Sequence, residues 1–263
     1  MDGKHCNPYF FRSSWNNDAT PEAMGKALQN QNLDSVYLLS ANYQAGKDML
    51  NGYLRHYKGK IAGRTLYKLG NSDWAAELSK IRAAKPSAIF AFAPGGMGIS
   101  LVKQFNASGL NKSMKLYTVF AVDWMTLKAY GKDAIGNFHT SFWDSDSNSP
   151  ANVRFKRDYA DKYKRAASMF GVQGYDAALL IDLGIRGASG NLKDHDSIRA
   201  AMRTANINSP RGGFIFNSNH SPIQNYYKRE VVADANGNPK IVTREIVFRG
   251  HKDAYYKQCK MKW

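Results

Sequence analysis

Apolar and polar residues alternate in blocks along positions 20–142. Short apolar runs at 36–39, 88–93 and 116–121 predict strands, and each is followed by a longer block with apolar residues at helical spacing. The run 88–93 is AIFAFA, without a polar position, which is typical of a strand buried on both faces of a parallel sheet. The alternation predicts βαβ units and hence an α/β fold with a parallel sheet. The other elements predicted here are strands at 60–67 and 137–142 and helices at 45–57, 73–84 and 124–130, with one more ending at 108.

The pattern changes at 144–150, where the sequence DSDSNSP is polar and turn-forming and indicates a domain boundary. The helices predicted after it lie at 151–163, 173–187 and 195–204. The strands predicted there are 213–216, 226–233 and 240–248, the last two joined by an Asn-Gly hairpin turn. This part has too few strands for a sheet of its own, so we expect that part of its sheet is missing from the chain.

Length and charge narrow the class of protein. The 263 residues suffice for one large or two modest domains. The net charge of +16 suits a nucleic acid, an anionic membrane surface or a small anionic ligand. The basic residues are scattered and accompany no nucleic-acid-binding motif, so we predict no nucleic-acid partner. No apolar run of about 18 residues predicts a transmembrane helix, and the first residues lack the features of a signal peptide.

The motifs predict no catalytic chemistry. Residues 40–48, SANYQAGKD, resemble a phosphate-binding loop, but Ala41 replaces its first glycine and Asp48 its hydroxyl residue. The histidines lack metal-ligand spacing, and no nucleophile elbow occurs. We therefore predict no cofactor, no metal and no enzymatic activity. Cys6 and Cys259 fit either one disulfide or two buried thiols.

Three loops follow the predicted strands and indicate a binding edge. They are 41–45 with Tyr43, 94–97 after Phe92, and 122–124 after Phe120. In open α/β sheets ligands bind beyond the carboxyl ends of the strands. Because these loops carry aromatic and small residues with a few polar groups, they predict a small-molecule pocket.

Several longer motifs occur in a fixed order along nearly the whole chain. They are FFRSSWNND at 10–18, YQAG at 43–46, LSKIRAAKP at 78–86, PGGMG at 94–98, GYDAALL at 174–180, GGFIF at 212–216, NYYKREV at 225–231 and CKM at 259–261. This ordered set resembles the type I periplasmic solute-binding proteins of ABC transporters. It is most similar to the branch, like the Leu/Ile/Val-binding protein, that takes branched-chain amino acids and aromatic acids.

The resemblance implies a fold of two Rossmann-like lobes, each with a parallel sheet. Lobe 2 would occupy 12–140, the second half of lobe 1 would occupy 145–225, and 226–263 would return to lobe 2 with the hairpin and a basic tail. The first half of lobe 1 and the signal peptide of the family have no counterpart here. We therefore expect a chain lacking its N-terminal portion, with weak or no ligand affinity by itself.

The resemblance also implies a function and a set of site residues. The protein would be a monomer in the periplasm that captures a small carboxylate between two hinged lobes and delivers it to a membrane permease. The alternatives are a Rossmann-like enzyme or a ligand-sensing regulatory domain on the same fold. The resemblance implies ligand contacts from Tyr43, Phe92 and Gly95, and it implies that Trp15 and Trp143 close over a ring of the ligand. It places a carboxylate for the ligand ammonium group at Asp123, and Phe120 is the alternative residue for this position of the site.

Overall fold

A computed structural model describes residues 3–262 of the chain. The helices are α1 (Ala19–Gln29), α2 (Gln44–His56), α3 (Ala75–Ala84), α4 (Gly96–Ala107), α5 (Trp124–Tyr130), α6 (Pro150–Tyr163), α7 (Met169–Gly187) and α8 (His195–Arg203). The strands are β1 (Val36–Ala41), β2 (Ile61–Tyr67), β3 (Ala88–Phe92), β4 (Lys115–Val119), β5 (Phe138–Ser141), β6 (Ile215–Phe216), β7 (Pro222–Ala233) and β8 (Pro239–His251).

These residues form two compact units. Unit 1 consists of the chain up to Asn16, Phe142–Tyr226 and the chain from Phe248 onward. Unit 2 consists of Asn17–Ser141 and Tyr227–Val247. The chain therefore crosses from one unit to the other at 16–17, 141–142, 226–227 and 247–248.

The sheet of unit 2 confirms the predicted parallel arrangement. Its strand order is β2-β1-β3-β4-β5-β7, with β8 paired to β7. The pairs from β2 to β5 are all parallel, and β7 joins β5 in the antiparallel direction. Every residue of β1 and β3 is buried, as the continuous apolar runs predict.

Helices cover both faces of this sheet because successive strand residues point to opposite sides. Leu38 and Phe90 pack with the apolar residues of α1 and α2, among them Leu28 and Leu50. On the other face, the neighbouring strand residue Leu39 packs in a cluster with residues of α3, α4 and α5. The result is a three-layer α/β unit whose central strands end in the loops of interest.

Unit 1 contains α6, α7, α8 and β6, which pairs with the beginning of β7. Helix α7 begins four residues before the predicted 173, because the Ser168 hydroxyl accepts a hydrogen bond from the Gly171 amide and caps the helix. Leu180 of α7 packs with Phe214, which precedes β6, and with Phe216, the last residue of β6.

The C-terminal segment is divided between the two units. Of the residues 226–263, which we expected to return to lobe 2 with the hairpin and a basic tail, Tyr227–Val247 belongs to unit 2 and the residues after it belong to unit 1. A disulfide between Cys6 and Cys259 joins the N-terminal and C-terminal segments of unit 1. This bond also resolves the two alternatives for the cysteines.

Candidate ligand-binding site

The carboxyl ends of β1, β3 and β4 lie side by side in unit 2. In the parallel register Ser40 of β1 is opposite Phe92 of β3, and Phe92 is opposite Val119 of β4. Each strand continues through a short loop into α2, α4 or α5. Since the strands run in one direction, the three loops emerge at the same edge of the sheet.

Three aromatic side chains form a continuous row across these strand ends. The rings of Tyr43 and Phe92 are stacked with centroids 6.2 Å apart, and those of Phe92 and Phe120 meet edge to face, also at 6.2 Å. Phe92 is buried in the middle, whereas Tyr43 and Phe120 are half-buried. We call Tyr43, Phe92 and Phe120 the aromatic row. Such a row offers ring faces and edges to a planar ligand.

Phe120 has a strained backbone at the end of its strand. Its φ of 58° lies in the left-handed region, which is uncommon for a bulky residue. A conformation of this kind costs about 1–3 kcal/mol and is enriched at active sites and ligand clamps. The strain is consistent with a role for the loop after β4 in the candidate site.

The N-termini of α2 and α4 lie at the same edge of the sheet. Within the described part of the chain, neither α2 nor α4 has a side-chain cap or an acidic residue in its first turn. Tyr43 is the residue before α2, and Gly95, with a φ of 60°, is the residue before α4. Helix N-termini carry partial positive charge and exposed amide groups, so this edge favours a carboxylate.

Gly46 has a packing role in the loop that resembles a phosphate-binding loop. A Cβ atom at Gly46 would lie 1.9 Å from the carbonyl oxygen of Ala41, and the Ser40 hydroxyl donates to the Gly46 carbonyl at 2.8 Å. Gly98 occupies the equivalent third position of α4, where a Cβ would lie 2.3 Å from the Ala93 carbonyl oxygen. Both glycines let a helix start close against the end of its strand.

Substitution of Gly46 by alanine tests this role. We expect Gly46→Ala to lower the free energy of unfolding by about 2–3 kcal/mol, because strand and helix must separate to admit the methyl group. Gly96→Ala is the matched control, since its Cβ meets nothing within 4 Å. Urea denaturation of both variants measures the difference. Equal midpoints for the two would contradict a packing role for Gly46.

Tyr67 stabilises the backbone of Phe92, the central residue of the aromatic row, and no sequence motif indicates this role. Its hydroxyl donates to the Phe92 carbonyl at 2.7 Å, and its own carbonyl accepts from the Asn42 amide, also at 2.7 Å. Burial raises the pKa of Tyr67, so the hydroxyl remains a donor at neutral pH. Burial also raises the pKa of Tyr43. The position of Tyr67 as the last residue of β2 was the one signal available for it.

Asp123 serves as the cap of α5. Its carboxylate accepts a hydrogen bond from the Met125 amide at 3.0 Å, and the Thr126 hydroxyl accepts one from the Asp123 amide at 3.0 Å. This is a capping box around a mostly buried carboxylate. Asp123 therefore stabilises the N-terminus of α5. Phe120, the alternative to Asp123 for this position of the site, belongs to the aromatic row.

The two predicted tryptophans lie in unit 1. Trp143 is 1% exposed, its indole N–H donates to Asn152 at 2.9 Å, and its ring meets Phe155 edge to face. The structure thus buries Trp143 in unit 1, and its contact with a ligand ring stays a prediction. Trp15 is half-buried and packs against Phe142 and Phe170, with ring centroids 5.1 and 5.8 Å away.

Residues 3–262 show neither a membrane-spanning helix nor a metal-binding cluster. None of the described helices combines the length and apolar character needed to cross a membrane. The same residues contain no group of three or more histidine, cysteine, aspartate or glutamate side chains placed to hold a metal ion.

Comparisons with known proteins agree with this architecture. The family model described as periplasmic binding protein matches residues 1–238. A solute-binding protein of an ABC transporter from R. palustris, solved with benzoate, is 26% identical with a TM-score of 0.90, covering 99% of this chain and 71% of the other. One from Rhodopseudomonas palustris BisB5, solved with 3,4-dihydroxybenzoic acid, is 27% identical with a TM-score of 0.85, covering 94% and 69%.

A more distant structure shares the fold. The leucine-, isoleucine-, valine-, threonine- and alanine-binding protein from Brucella ovis is 20% identical, with a TM-score of 0.85, and the match covers 99% of this chain and 70% of the other. No curated protein sequence matches this chain. The resemblance seen in the sequence is confirmed, because the family model extends over most of the chain: the protein belongs to the periplasmic binding protein family.

Proposed function

We propose that this protein is the substrate-binding component of an ABC transporter and that its edge of strand ends in unit 2 binds a small aromatic carboxylate. It would act in the periplasm, as a monomer, and deliver the ligand to a membrane permease without chemical change. Unit 2 would correspond to lobe 2 of the family, and unit 1 would contain the second half of lobe 1. The family membership and the ligands of the two Rhodopseudomonas proteins support this assignment.

The observation that carries the proposal is the pairing of the aromatic row with two uncapped helix N-termini. Tyr43 directly precedes α2, and Phe92 lies three residues before Gly95 at the start of α4. An aromatic acid presents a flat ring and a carboxylate a short distance apart. The ring can pack on Tyr43 and Phe120 while the carboxylate accepts from helix amides, and the net charge of +16 attracts the anion.

The position of Asp123 favours aromatic acids over amino acids. An amino acid also needs an acceptor for its ammonium group, and the carboxylate implied for that purpose accepts from Met125 in the cap of α5. Binding the ammonium there would compete with the helix cap, which is worth about 1 kcal/mol. An aromatic acid without an ammonium group carries no such cost.

Ligand-detected saturation-transfer NMR, which registers weak binding, tests the assignment on the full chain. We expect benzoate and 4-hydroxybenzoate to bind more tightly than leucine. Tyr43→Ala should weaken benzoate binding roughly fivefold, because one ring contact contributes about 1 kcal/mol. Tyr163→Ala, which removes an exposed tyrosine of α6, is the matched control and should bind as the unaltered protein does.

Two results would overturn the proposal. One is leucine binding as tightly as benzoate with no effect of Tyr43→Ala. The other is thermal stabilisation by ATP or a dinucleotide and none by the acids, which would favour a nucleotide-dependent enzyme on the same fold.

A further inference from the structure

A buried ion pair lies at the centre of unit 1. The Arg211 Nε donates to the Asp176 carboxylate at 2.7 Å, and their side chains are 3% and 0% exposed. The Ser209 hydroxyl donates to the same carboxylate oxygen at 2.9 Å. The Arg211 guanidinium lies 4.5 Å from the ring centroid of Phe214 and 5.1 Å from that of Phe142. Its direction is therefore set by one carboxylate and two rings.

The side chain of Gln224 links the ion pair by hydrogen bonds to residues next to two of the chain crossings. Arg211 Nη1 donates to the Gln224 side-chain oxygen at 2.5 Å. The amide nitrogen of the same side chain donates to the backbone carbonyl of Ser14 at 2.9 Å and to the Tyr226 hydroxyl at 3.0 Å. Ser14 lies just before the first crossing, and Tyr226 is the last residue before the third.

Residues next to the other two crossings contact Arg211 or Tyr226 through their aromatic rings. Phe142, over which Arg211 lies, is the first residue of unit 1 after the second crossing. His251, just after the fourth crossing, packs edge to face on Tyr226 with ring centroids 5.4 Å apart. The four segments by which the chain enters or leaves unit 1 thus converge on one network. We call Asp176, Arg211 and Gln224 the crossing anchor.

Stability alone gives a weak reason for such a network. The desolvation of a buried charge pair offsets most of its attraction, and apolar replacements of similar volume are often neutral. A guanidinium, in contrast, bonds in several fixed directions at once, which suits a group that must hold separate segments at fixed spacing.

We propose that the crossing anchor holds the four crossing segments together on the side of unit 1, so that these segments keep a fixed spacing where the chain enters and leaves the unit. Arg211 is then a positioning residue for the crossing segments. The inference goes beyond the proposed function, because it concerns the protein without ligand and does not depend on the ligand class.

Hydrogen exchange of the full chain, followed by mass spectrometry, tests the anchor without ligand. Gln224→Leu removes the hydrogen bonds to Ser14 and Tyr226 and retains the ion pair between Arg211 and Asp176. Arg211→Met removes the ion pair itself and the hydrogen bond to Gln224. Leu180→Ala is the control, since it removes core contacts of the same unit and no polar group of the anchor. The reporting peptides cover 11–16, 140–144, 222–227 and 248–252.

For Arg211→Met we expect all four peptides to exchange at least tenfold faster than in Leu180→Ala, with α6, α7 and α8 changed no more than in the control. Gln224→Leu should accelerate at least the peptides 11–16 and 222–227. Equal exchange in anchor and control variants, or acceleration spread evenly over unit 1, would overturn the proposal, because either indicates a merely structural role. If Arg211→Met does not fold, the test rests on Gln224→Leu. An unchanged exchange rate of peptide 11–16 in that variant would refute the proposal.

Discussion

Loss of the disulfide between Cys6 and Cys259 is expected to lower the free energy of unfolding by about 4–5 kcal/mol. The bond joins residues separated by 253 positions, so it closes nearly the whole chain into a loop. In the chain-entropy model the stabilisation grows with the length of the closed loop, because the bond removes more of the freedom of the unfolded chain. An expected loss of this size is a large part of the total stability of a typical domain.

Urea denaturation of the oxidised protein, the reduced protein and the double variant Cys6→Ser/Cys259→Ser measures this effect. Reductant should lower the midpoint of the unaltered protein to that of the double variant and leave the variant itself unchanged. A midpoint insensitive to reductant would show that other contacts suffice to hold the chain ends. A disulfide of this kind persists in an oxidising compartment, which agrees with the proposed periplasmic location.

Acidification is expected to destabilise the protein through His139. This histidine of β5 is buried opposite Arg229 of β7, which is also buried. Burial, and secondly the positive charge of Arg229, lower the pKa of His139 from 6.5 to about 3. In the unfolded chain the same side chain takes up a proton near pH 6.5.

The sign of the effect follows from the lowered pKa. Above pH 6.5 the side chain is neutral in both states, and its contribution to stability is complete. Between pH 6.5 and about 3 the unfolded state binds one more proton than the folded state, so stability falls by about 1.4 kcal/mol per pH unit. The whole loss from this residue is about 5 kcal/mol.

Stability measured against pH for His139→Gln isolates this contribution from that of the carboxylates. The variant should lose stability less steeply than the unaltered protein between pH 6 and 4. His195→Gln, at an exposed position at the start of α8, is the control and should follow the unaltered curve. Parallel curves for His139→Gln and the unaltered protein would refute the expectation.

The sequence alone predicted most of the helices and strands of unit 2, because its signals there are local. The apolar run at 88–93 became the buried strand β3, and the helix predicted at 124–130 is α5. The candidate binding edge followed from the rule for parallel strand ends. That rule alone places the loops of Tyr43, Phe92 and Phe120 at one edge.

Other parts of the site depended on contacts that leave no local pattern. Asp123 caps α5, which only its hydrogen bond from Met125 reveals, and its contact with a ligand stays a prediction. Trp143 was predicted to close over a ligand ring, and the structure shows it buried with a hydrogen bond to Asn152 that no local pattern indicates.

The sequence by itself determined the α/β class and the parallel sheet, because hydrophobic periodicity and turn residues act over a few positions. Only the tertiary structure decided that Cys6 pairs with Cys259, that Arg211 pairs with Asp176, and that His139 faces Arg229. The partners of these pairs are 253, 35 and 90 positions apart, respectively. No periodic pattern links residues at such distances, and their meeting is set by the packing of whole elements.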